Sequence, residues 1–570
     1  MPVRSVSRGR ADRGVFTLVS FVWVLILSTS LRRVALWSNT PRVERSTQSV
    51  VQFSRVVYAR PMQATEHPTY DLLTEPWITV TDLDGTSHQV GIREALTKAE
   101  DIATVTDADG GVEAALLRLL GAVLHAAAYR RVRSGDDLNP LNGDYPAAEI
   151  NAYLDEHANA FDLFHPDRPF LQAPHASQFE TRTPMTLGAP WFPGSGSKAY
   201  LNATMVPRDK DALDAGLAAR LLLSSQAWGS GQKTSGPLPK DLFEALEPGA
   251  KPSGSTPAGP LAGALIVVPT GETLAETLLL NLAFPKDGDP GIPVWEVNRG
   301  GARPSGHLGR LAWPARAYLL DASDDGRKVT AVHFGAGHRL DTDTNQATET
   351  TMVWNPAKGE KPATYMRGRA DLVLWRSTPT LYGWGEAAGV PQVRTAASWR
   401  ESAWGEGLIQ VSVYGRDNVG MSPATVQIAH PMSMVWALVG EYPHEADVEK
   451  VLAGTTKAAR SLRDALNGIT EAPTLWSEVE PHWLDLLDAL GAASRPVDSG
   501  QDLTVETDAD AVRAALVRYA QDVTRLCLDI FDREAGAMPA AHYAQAKNGL
   551  RGSLRFKAFK EFQPEKESTK

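Results

Sequence analysis

Cysteine is almost absent from the sequence, since Cys527 is the only one among 570 residues. A single thiol excludes a framework of disulfide bonds and a zinc site built from several thiolates. The sequence also lacks a His-rich metal spacing and a Gly-x-Ser-x-Gly motif, so it predicts no metal, no cofactor and no catalytic residues. Cys527 lies in an apolar helical segment, and we expect it to be a core residue.

A positive net charge is missing as well, because the chain carries a formal net charge of −10 at pH 7. Such a chain is not a general nucleic-acid binder, and any contact with nucleic acid would come from local patches. Hydrophobic residues make up 43% and charged residues 22%, which is ordinary for a soluble globular protein. The length is sufficient for more than one domain.

Residues 1–61 differ in composition from the remainder. They hold ten Arg and no Lys against two acidic residues, a charge of +8 that leaves −18 on the rest of the chain. The apolar run Val15–Ser28 is typical of a signal peptide or anchor, but it is short for a membrane span and no clean cleavage site follows. The alternative is a start codon assigned too far upstream. We favour Met62 as the start of a cytoplasmic protein without membrane attachment.

Hydrophobic periodicity predicts an α+β fold, with a large mixed domain at residues 62–440 followed by a four-helix bundle at 441–570. The mixed domain opens with a strand at Tyr70–Val80, and Gly111–Tyr129 is apolar nearly all round, as expected of a core helix. Four helices separated by short connections predict the bundle: Glu445–Leu466, Leu475–Gly491, Asp508–Glu534 and His542–Phe562.

A glycine-rich segment follows a predicted helix that ends near Trp228. It differs from a phosphate-binding P-loop, because Gln232 separates Gly231 from Lys233 and because a helix rather than a strand precedes it. We therefore reject an NTPase. Gly229 and Gly231 would still allow the backbone to approach a nucleic-acid phosphate closely, with Lys233 supplying charge. A flexible linker is the alternative interpretation.

A polar turn is predicted after the strand that starts at Leu408. These residues taken alone favour an ordinary hairpin turn. The residues of the turn are Arg416, Asp417, Asn418, Val419 and Gly420.

The last predicted helix is basic, although the chain as a whole is acidic. Either a patch that contacts a phosphate backbone or a solvated surface would explain this composition. The basic residues are Lys547, Arg551, Arg555, Lys557 and Lys560.

Several segments, in this order, resemble the CasA family, the large subunit of the type I-E CRISPR Cascade complex. The resemblance covers about residues 68–565. The segments are Leu72-Leu-Thr-Glu-Pro-Trp-Ile78, Phe161-Asp-Leu-Phe-His-Pro-Asp-Arg-Pro-Phe-Leu-Gln172, Leu311-Ala-Trp-Pro-Ala-Arg316 and Leu526-Cys-Leu-Asp-Ile-Phe531.

The resemblance implies a subunit without catalysis of its own, whose partners are the other Cascade subunits, CRISPR RNA, target double-stranded DNA and a helicase-nuclease. Such a subunit recognises the protospacer-adjacent motif and promotes duplex opening and R-loop formation. It implies DNA contacts for Tyr200 in the loop at 181–211, for the glycine-rich segment Gly229–Lys233 and for a wedge at Arg416–Gly420. The family often has Gln at the wedge, whereas this sequence has Val419.

A secreted or membrane-anchored enzyme acting on glycans is the alternative function. It would fit the apolar N-terminal run, 15 Trp residues and scattered carboxylates, although carboxylate pairs are too common to be informative. His165, Asp167 and Arg168 could suggest acid–base chemistry, but the adjoining prolines favour a rigid turn.

Overall fold

The computed structural model describes most of residues 67–563, and residues 1–66 and 564–570 lie outside the described part, with Met62 and the charged N-terminal extension. The internal gaps are residues 134–137, 188–211, 232–255, 285–289, 298–303, 341–343, 358–360, 370–371, 386–387, 401–406, 419–424, 467–472 and 498–503.

The described part opens with a three-stranded antiparallel sheet, in the order β2-β1-β3. The first strand is shorter than predicted, because Asp71 accepts hydrogen bonds from the Leu73 backbone and the Thr74 hydroxyl and so holds this region in a turn. The Asp84-Gly85 pair predicts a turn before β2, and the structure has this turn, since Gly85 has a φ of 86°. The elements are β1 (Ile78–Asp82), β2 (Ser87–Val90), α1 (Ile92–Thr97) and β3 (Ile102–Val105).

The predicted core helix is confirmed as α2 (Gly110–Leu124), which continues as a π-helical turn at His125–Tyr129. The Asp109 side chain caps its N-terminus by accepting a hydrogen bond from the Gly111 N–H. By length and composition alone, residues 110–129 could cross a membrane. However, 72% of the 18-residue apolar stretch within this helix is buried inside the protein. That burial identifies α2 as a core helix.

The remaining elements of the mixed part form two larger sheets and a short hairpin. One sheet has the order β4-β8-β5 with β7 paired to β8, the second has the order β12-β11-β6, and β9 pairs with β10. In chain order the elements are α3 (Ala147–Glu156), β4 (Thr181–Arg182), β5 (Leu213–Asp214), α4 (Ala215–Trp228), β6 (Leu265–Thr270), α5 (Leu274–Leu280), α6 (Gly306–Leu311), β7 (Arg316–Ala322), β8 (Lys328–Ala336), β9 (Trp354–Asn355), β10 (Thr364–Tyr365), α7 (Thr378–Tyr382), α8 (Pro391–Arg400), β11 (Leu408–Asn418) and β12 (Thr425–Val435).

The C-terminal part is helical, as predicted. The last helix ends earlier than expected and continues as a π-helical turn at Leu554–Ala558. A hairpin that the periodicity does not predict lies between the second and third helices of this part. The elements are α9 (Glu445–Ala465), α10 (Pro473–Ala492), β13 (Ser494–Val497), β14 (Thr504–Thr507), α11 (Ala509–Glu534) and α12 (Ala540–Ser553).

Two hydrophobic clusters make up the core. The first surrounds α2 and α4 and includes Trp77 and Trp228. The second extends from the β6–β11–β12 sheet, where it includes Val411, into the helices, where it includes Trp483 and Val523. The sheet and the helical part therefore bury apolar surface together, and the domain boundary after residue 440 stays a prediction.

The burial of Cys527 gives a direct test of the helical core. Its side chain is inaccessible to solvent, and burial raises the pKa of the thiol to about 12. Because the thiolate is the reactive species, we expect no labelling by a maleimide at pH 7 in the folded protein and complete labelling in denaturant. Mass spectrometry of the labelled protein measures both. Rapid stoichiometric labelling without denaturant would contradict this packing of α11.

Candidate nucleic-acid interface

The glycine-rich segment begins where α4 ends, and its first residues are held by Arg316. The Arg316 guanidinium donates to the backbone oxygens of Ser225, at 2.9 Å, and Ser230. A Cβ at Gly229 would lie 2.1 Å from Cζ of Arg316, so a larger residue here would displace this guanidinium. The backbone oxygen of Gly229 also accepts a hydrogen bond from the Gly259 N–H at 2.8 Å. The first residues of the segment, Gly229–Gly231, are therefore held in place.

The hairpin of β11 and β12 carries the second candidate. Each strand has 11 residues, and they pair without a register shift from Leu408 opposite Val435 to Asn418 opposite Thr425. The predicted turn at 416–420 therefore started too early, because β12 supplies a pairing partner for every residue up to Asn418. In the described part, β6 pairs with β11 only from Gln410 to Gly415, so the hairpin beyond Gly415 is two-stranded.

Arg416 lies at the start of this two-stranded part, and its side chain faces the protein. Its Nη2 donates to Oδ2 of Asp109 and to Oγ of Ser224, both at 2.7 Å. The Arg416 and Asp109 side chains are 8% and 0% exposed. The guanidinium also lies 5.8 Å from the ring centroid of Trp228. This arrangement differs from the DNA contact predicted for Arg416, because protein groups surround its charge.

The Arg416 contacts bring three separate segments together. Asp109 caps α2, Ser224 lies one turn before the end of α4, and Arg416 belongs to the hairpin. The Trp228 indole N–H donates to the Gly111 backbone oxygen at 2.9 Å, which joins the end of α4 directly to the start of α2. The glycine-rich segment and the hairpin therefore begin from neighbouring points.

Acidic groups next to this junction are buried and paired. Asp107 forms an ion pair with Arg220 at 3.0 Å, and Glu113 accepts from the Asp107 N–H at 2.9 Å. Burial raises the pKa of both carboxyl groups. Burial also raises the pKa of Tyr414, next to Glu113, so its phenol stays protonated. These groups form a buried polar network that contacts the hairpin at Tyr414.

Comparison with known proteins assigns this chain to a family. The family model described as CRISPR-associated protein Cse1 matches residues 71–523. The chain belongs to the Cse1 family. The resemblance to CasA proteins noted in the sequence is thereby confirmed.

Individual relatives support the same fold. A curated Thermus thermophilus protein, CRISPR-associated protein CasA/Cse1, is 33% identical over 280 residues, which is 47% of this chain and 52% of the relative. The match thus spans about half the length of that relative. The crystal structure of Cse1 from Acidimicrobium ferrooxidans has a TM-score of 0.67 at 21% identity, covering 87% of this chain and 99% of its own. A chain of a CRISPR RNA-guided surveillance complex has a TM-score of 0.57 at 18% identity, covering 85% and 99%.

Half of the predicted contact residues of this Cse1-family chain lie in the described part. Gly229, Gly231 and Arg416 are described with their surroundings, and Asp417 and Asn418 are placed in β11. The others lie outside the described residues: Tyr200, Gln232, Lys233, Val419 and Gly420.

Asp109, Ser224 and Arg316 belong to the candidate interface, although no pattern in the sequence points to them. The local sequence Asp107-Ala-Asp-Gly110 predicts only the start of a helix. Arg416, the partner of Asp109, is 307 positions away, and no local pattern encodes that contact.

The basic residues near the C-terminus differ in their surroundings. Lys547 forms an ion pair with Asp532, whereas Lys557 lines an open groove of about 880 Å³ between α9 and α12. Lys457 and Arg460 of α9 line the same groove. The exposed cationic surface therefore includes α9, which the sequence analysis did not single out.

A buried cavity of about 40 Å³ lies against α2 and is too small for a nucleotide or a sugar. It is lined in part by His125, His307 and Glu349. The Glu349 carboxylate pairs with Arg118 at 2.8 Å and Arg310 at 3.2 Å, so it is committed to ion pairs. In the part of the chain that is described, no group of three or more His, Cys, Asp or Glu residues could hold a metal ion.

The turn at His165 is confirmed. The ring Nδ1 accepts backbone N–H groups of Asp167 at 3.2 Å and Arg168 at 3.0 Å, which ties the imidazole to its own backbone.

The cavity histidines predict an acid-sensitive stability. Burial lowers the pKa of His125 and of His307 to about 3, and nearby arginines act in the same direction. Both rings are then neutral in the folded protein but charged in the unfolded chain below about pH 6.5, so the unfolded state binds more protons. The free energy of unfolding should fall by on the order of a few kcal/mol as the pH falls from about 6.5 towards 3.

Chemical denaturation at several pH values measures this loss. Between about pH 6.5 and 5 the histidines dominate, since carboxyl groups titrate mostly below this range. His125→Asn should flatten the dependence, whereas His542→Asn, at an exposed position, should not. Equal slopes for the two variants would contradict the burial of His125.

Proposed function

We propose that this chain is the large subunit of a type I-E CRISPR RNA-guided surveillance complex, Cascade, in the cytoplasm. Its partners are the other Cascade subunits and CRISPR RNA. Membership of the Cse1 family supports this role, as does the fold shared with a chain of a CRISPR RNA-guided surveillance complex. The subunit acts by binding and has no catalysis of its own. In this role a helicase-nuclease is recruited to the DNA strand that the complex displaces.

The subunit recognises the protospacer-adjacent motif in double-stranded DNA, and guide pairing supplies the rest of the sequence selection. The observation that carries this proposal is the junction at Arg416. It places the start of the glycine-rich segment next to the root of the β11–β12 hairpin, although the two are far apart in sequence. Because the two elements start at neighbouring points, one can contact the backbone and the other the groove of the same duplex.

The hairpin acts as the wedge that starts duplex opening and R-loop formation. Asn418 bonds to minor-groove acceptors, Val419 fills the gap left by an opened base step, and Gly420 permits close backbone approach. The minor groove distinguishes few base pairs, which suits tolerance of several flanking motifs. Arg416 and Asp417 belong to the strand that supports the wedge.

The glycine-rich segment and the loop that contains Tyr200 hold the duplex in place. Gly229, Gly231 and Gln232 bring the backbone close to a phosphate, and Lys233 supplies the charge. Contacts of this kind fix position without reading sequence.

The wedge is tested by changing Asn418 and Val419 together to Ala in the assembled complex. Opening a base step costs a few kcal/mol, so binding to duplex DNA with a correct flanking motif should fall roughly ten-fold or more. A target whose first base pairs are already open should lose much less. Electrophoretic mobility shifts on the two targets measure the difference.

Gln410→Ala is the matched control for the wedge, because Gln410 is an exposed residue of the same hairpin at its opposite end. This variant should bind both targets normally. If the double variant lost affinity equally for duplex and pre-opened DNA, a wedge would be ruled out. If the variant failed to assemble into the complex, the hairpin would have a structural role instead.

The phosphate contact is tested by Lys233→Ala. Affinity should fall for all target sequences alike, and the slope of log affinity against log salt should decrease by about one unit for the lost contact. Lys251→Ala removes the same charge outside the glycine-rich segment and should leave the slope unchanged. If Lys233→Ala kept the salt slope of the unchanged protein, the glycine-rich segment would be a linker without a phosphate contact.

A further inference from the structure

We infer that Arg416, Asp109 and Ser224 form a clamp that fixes the root of the β11–β12 hairpin to the end of α4, so that this root and the start of the glycine-rich segment at Gly229–Gly231 keep one relative position. Arg416 is thus a positioning residue. The geometric part of this inference stands on the described contacts alone, and its consequence for DNA rests on the proposed function.

Charge and burial make the clamp a fixed contact. A buried guanidinium needs a partner, because removing a charge from water is expensive unless a counter-charge replaces the lost hydration. Asp109 supplies that charge at 2.7 Å. Asp109 is itself fixed, since its Oδ1 accepts from the Gly111 N–H at 2.8 Å. Release of Arg416 would therefore leave the buried Asp109 carboxylate without its counter-charge.

Ser224 extends the clamp to the glycine-rich segment. Its hydroxyl accepts from the same Nη2 that bonds Asp109. Ser224 lies in α4, four residues before Trp228, the last residue of the helix, and five before Gly229, which is little more than one turn. Since a helix moves as a rigid unit over one turn, a displacement of Arg416 would reach Gly229 through Ser224.

Close packing leaves little room for the hairpin root to shift. A Cβ at Gly111 would lie 2.5 Å from Nη2 of Arg416, and one at Gly368 would lie 3.0 Å from the Arg416 backbone nitrogen. The partner strand is equally close, because a Cβ at Gly110 would lie 2.6 Å from Cβ of Ala429. Both strands of the hairpin thus rest on the N-terminus of α2.

The position of the clamp along the hairpin matters most. The third strand, β6, pairs with β11 only as far as Gly415, and Arg416 is the next residue. A two-stranded hairpin has little stability by itself in water. The clamp therefore begins where sheet support ends. Asn418 lies only two residues further, roughly 7 Å along the strand.

The clamp is tested with Ser224→Ala, because Arg416→Ala would leave Asp109 unpaired in the core and could unfold the protein. Ser224→Ala removes one hydroxyl and keeps the Arg416–Asp109 ion pair. Ser225→Ala is the matched control: it removes a neighbouring hydroxyl that bonds Tyr318 at 2.7 Å and does not touch Arg416.

Spin labels report the clamp without DNA. Cysteines introduced as Ser230→Cys, in the glycine-rich segment, and Thr425→Cys, in the hairpin, can be labelled selectively because Cys527 is buried. The distance distribution from double electron–electron resonance should be narrow in the labelled parent and in Ser225→Ala, and clearly broader in Ser224→Ala. An unchanged distribution in Ser224→Ala would overturn the inference.

Binding by the assembled complex separates the clamp from the proposed function. If the clamp acts in DNA recognition, Ser224→Ala should weaken binding to duplex targets several-fold but leave binding to pre-opened targets unchanged. Ser225→Ala should bind both targets normally. A broadened distance distribution with unchanged duplex binding would support the clamp and count against the proposed DNA role of the two elements. Thermal melting of both serine variants confirms that each remains folded.

Discussion

The ion pair between Arg416 and Asp109 is the contact on which the candidate interface depends, because it buries two opposite charges where three segments meet. Ionised groups are kept inside a protein only when their partners are held in good geometry. Here the helix cap at α2, the closing turn of α4 and the root of a hairpin supply that geometry together. None of the three segments can move without disturbing the bonds of the other two.

Arg316 repeats the same principle at a second point. It is a buried guanidinium whose bonds to backbone oxygens fix the residues that follow α4. The glycine-rich segment is thus anchored on one side by Arg316 and on the other by the Trp228 contact with α2. Arg416, which the sequence would assign to DNA, is used inside the protein, whereas α9 and the residues near the C-terminus carry exposed cations that line a groove.

The sequence was sufficient for several elements that carry a strong local signal. The Asp-Gly turn before β2, the apolar helix α2 and the C-terminal helices follow from turn chemistry and from periodicity, and the structure has them all. The end of β11 was placed too early, since the polar residues after Gly415 read as a turn when the pairing strand is unknown. The role of Arg416 could not be inferred, because its charge partner is supplied by a helix cap in a distant part of the chain.

The pairing of β11 with β12 beyond the edge of the three-stranded sheet has a consequence for how this hairpin can vary in length. Two-stranded ribbons twist more strongly than wider sheets, so each added residue pair rotates the tip about the ribbon axis as well as extending it. Because the root is held at Arg416, the rotation appears entirely at the tip. An insertion of one pair would therefore present a different face of the tip to whatever it meets, and the length of the ribbon sets an angle as well as a reach.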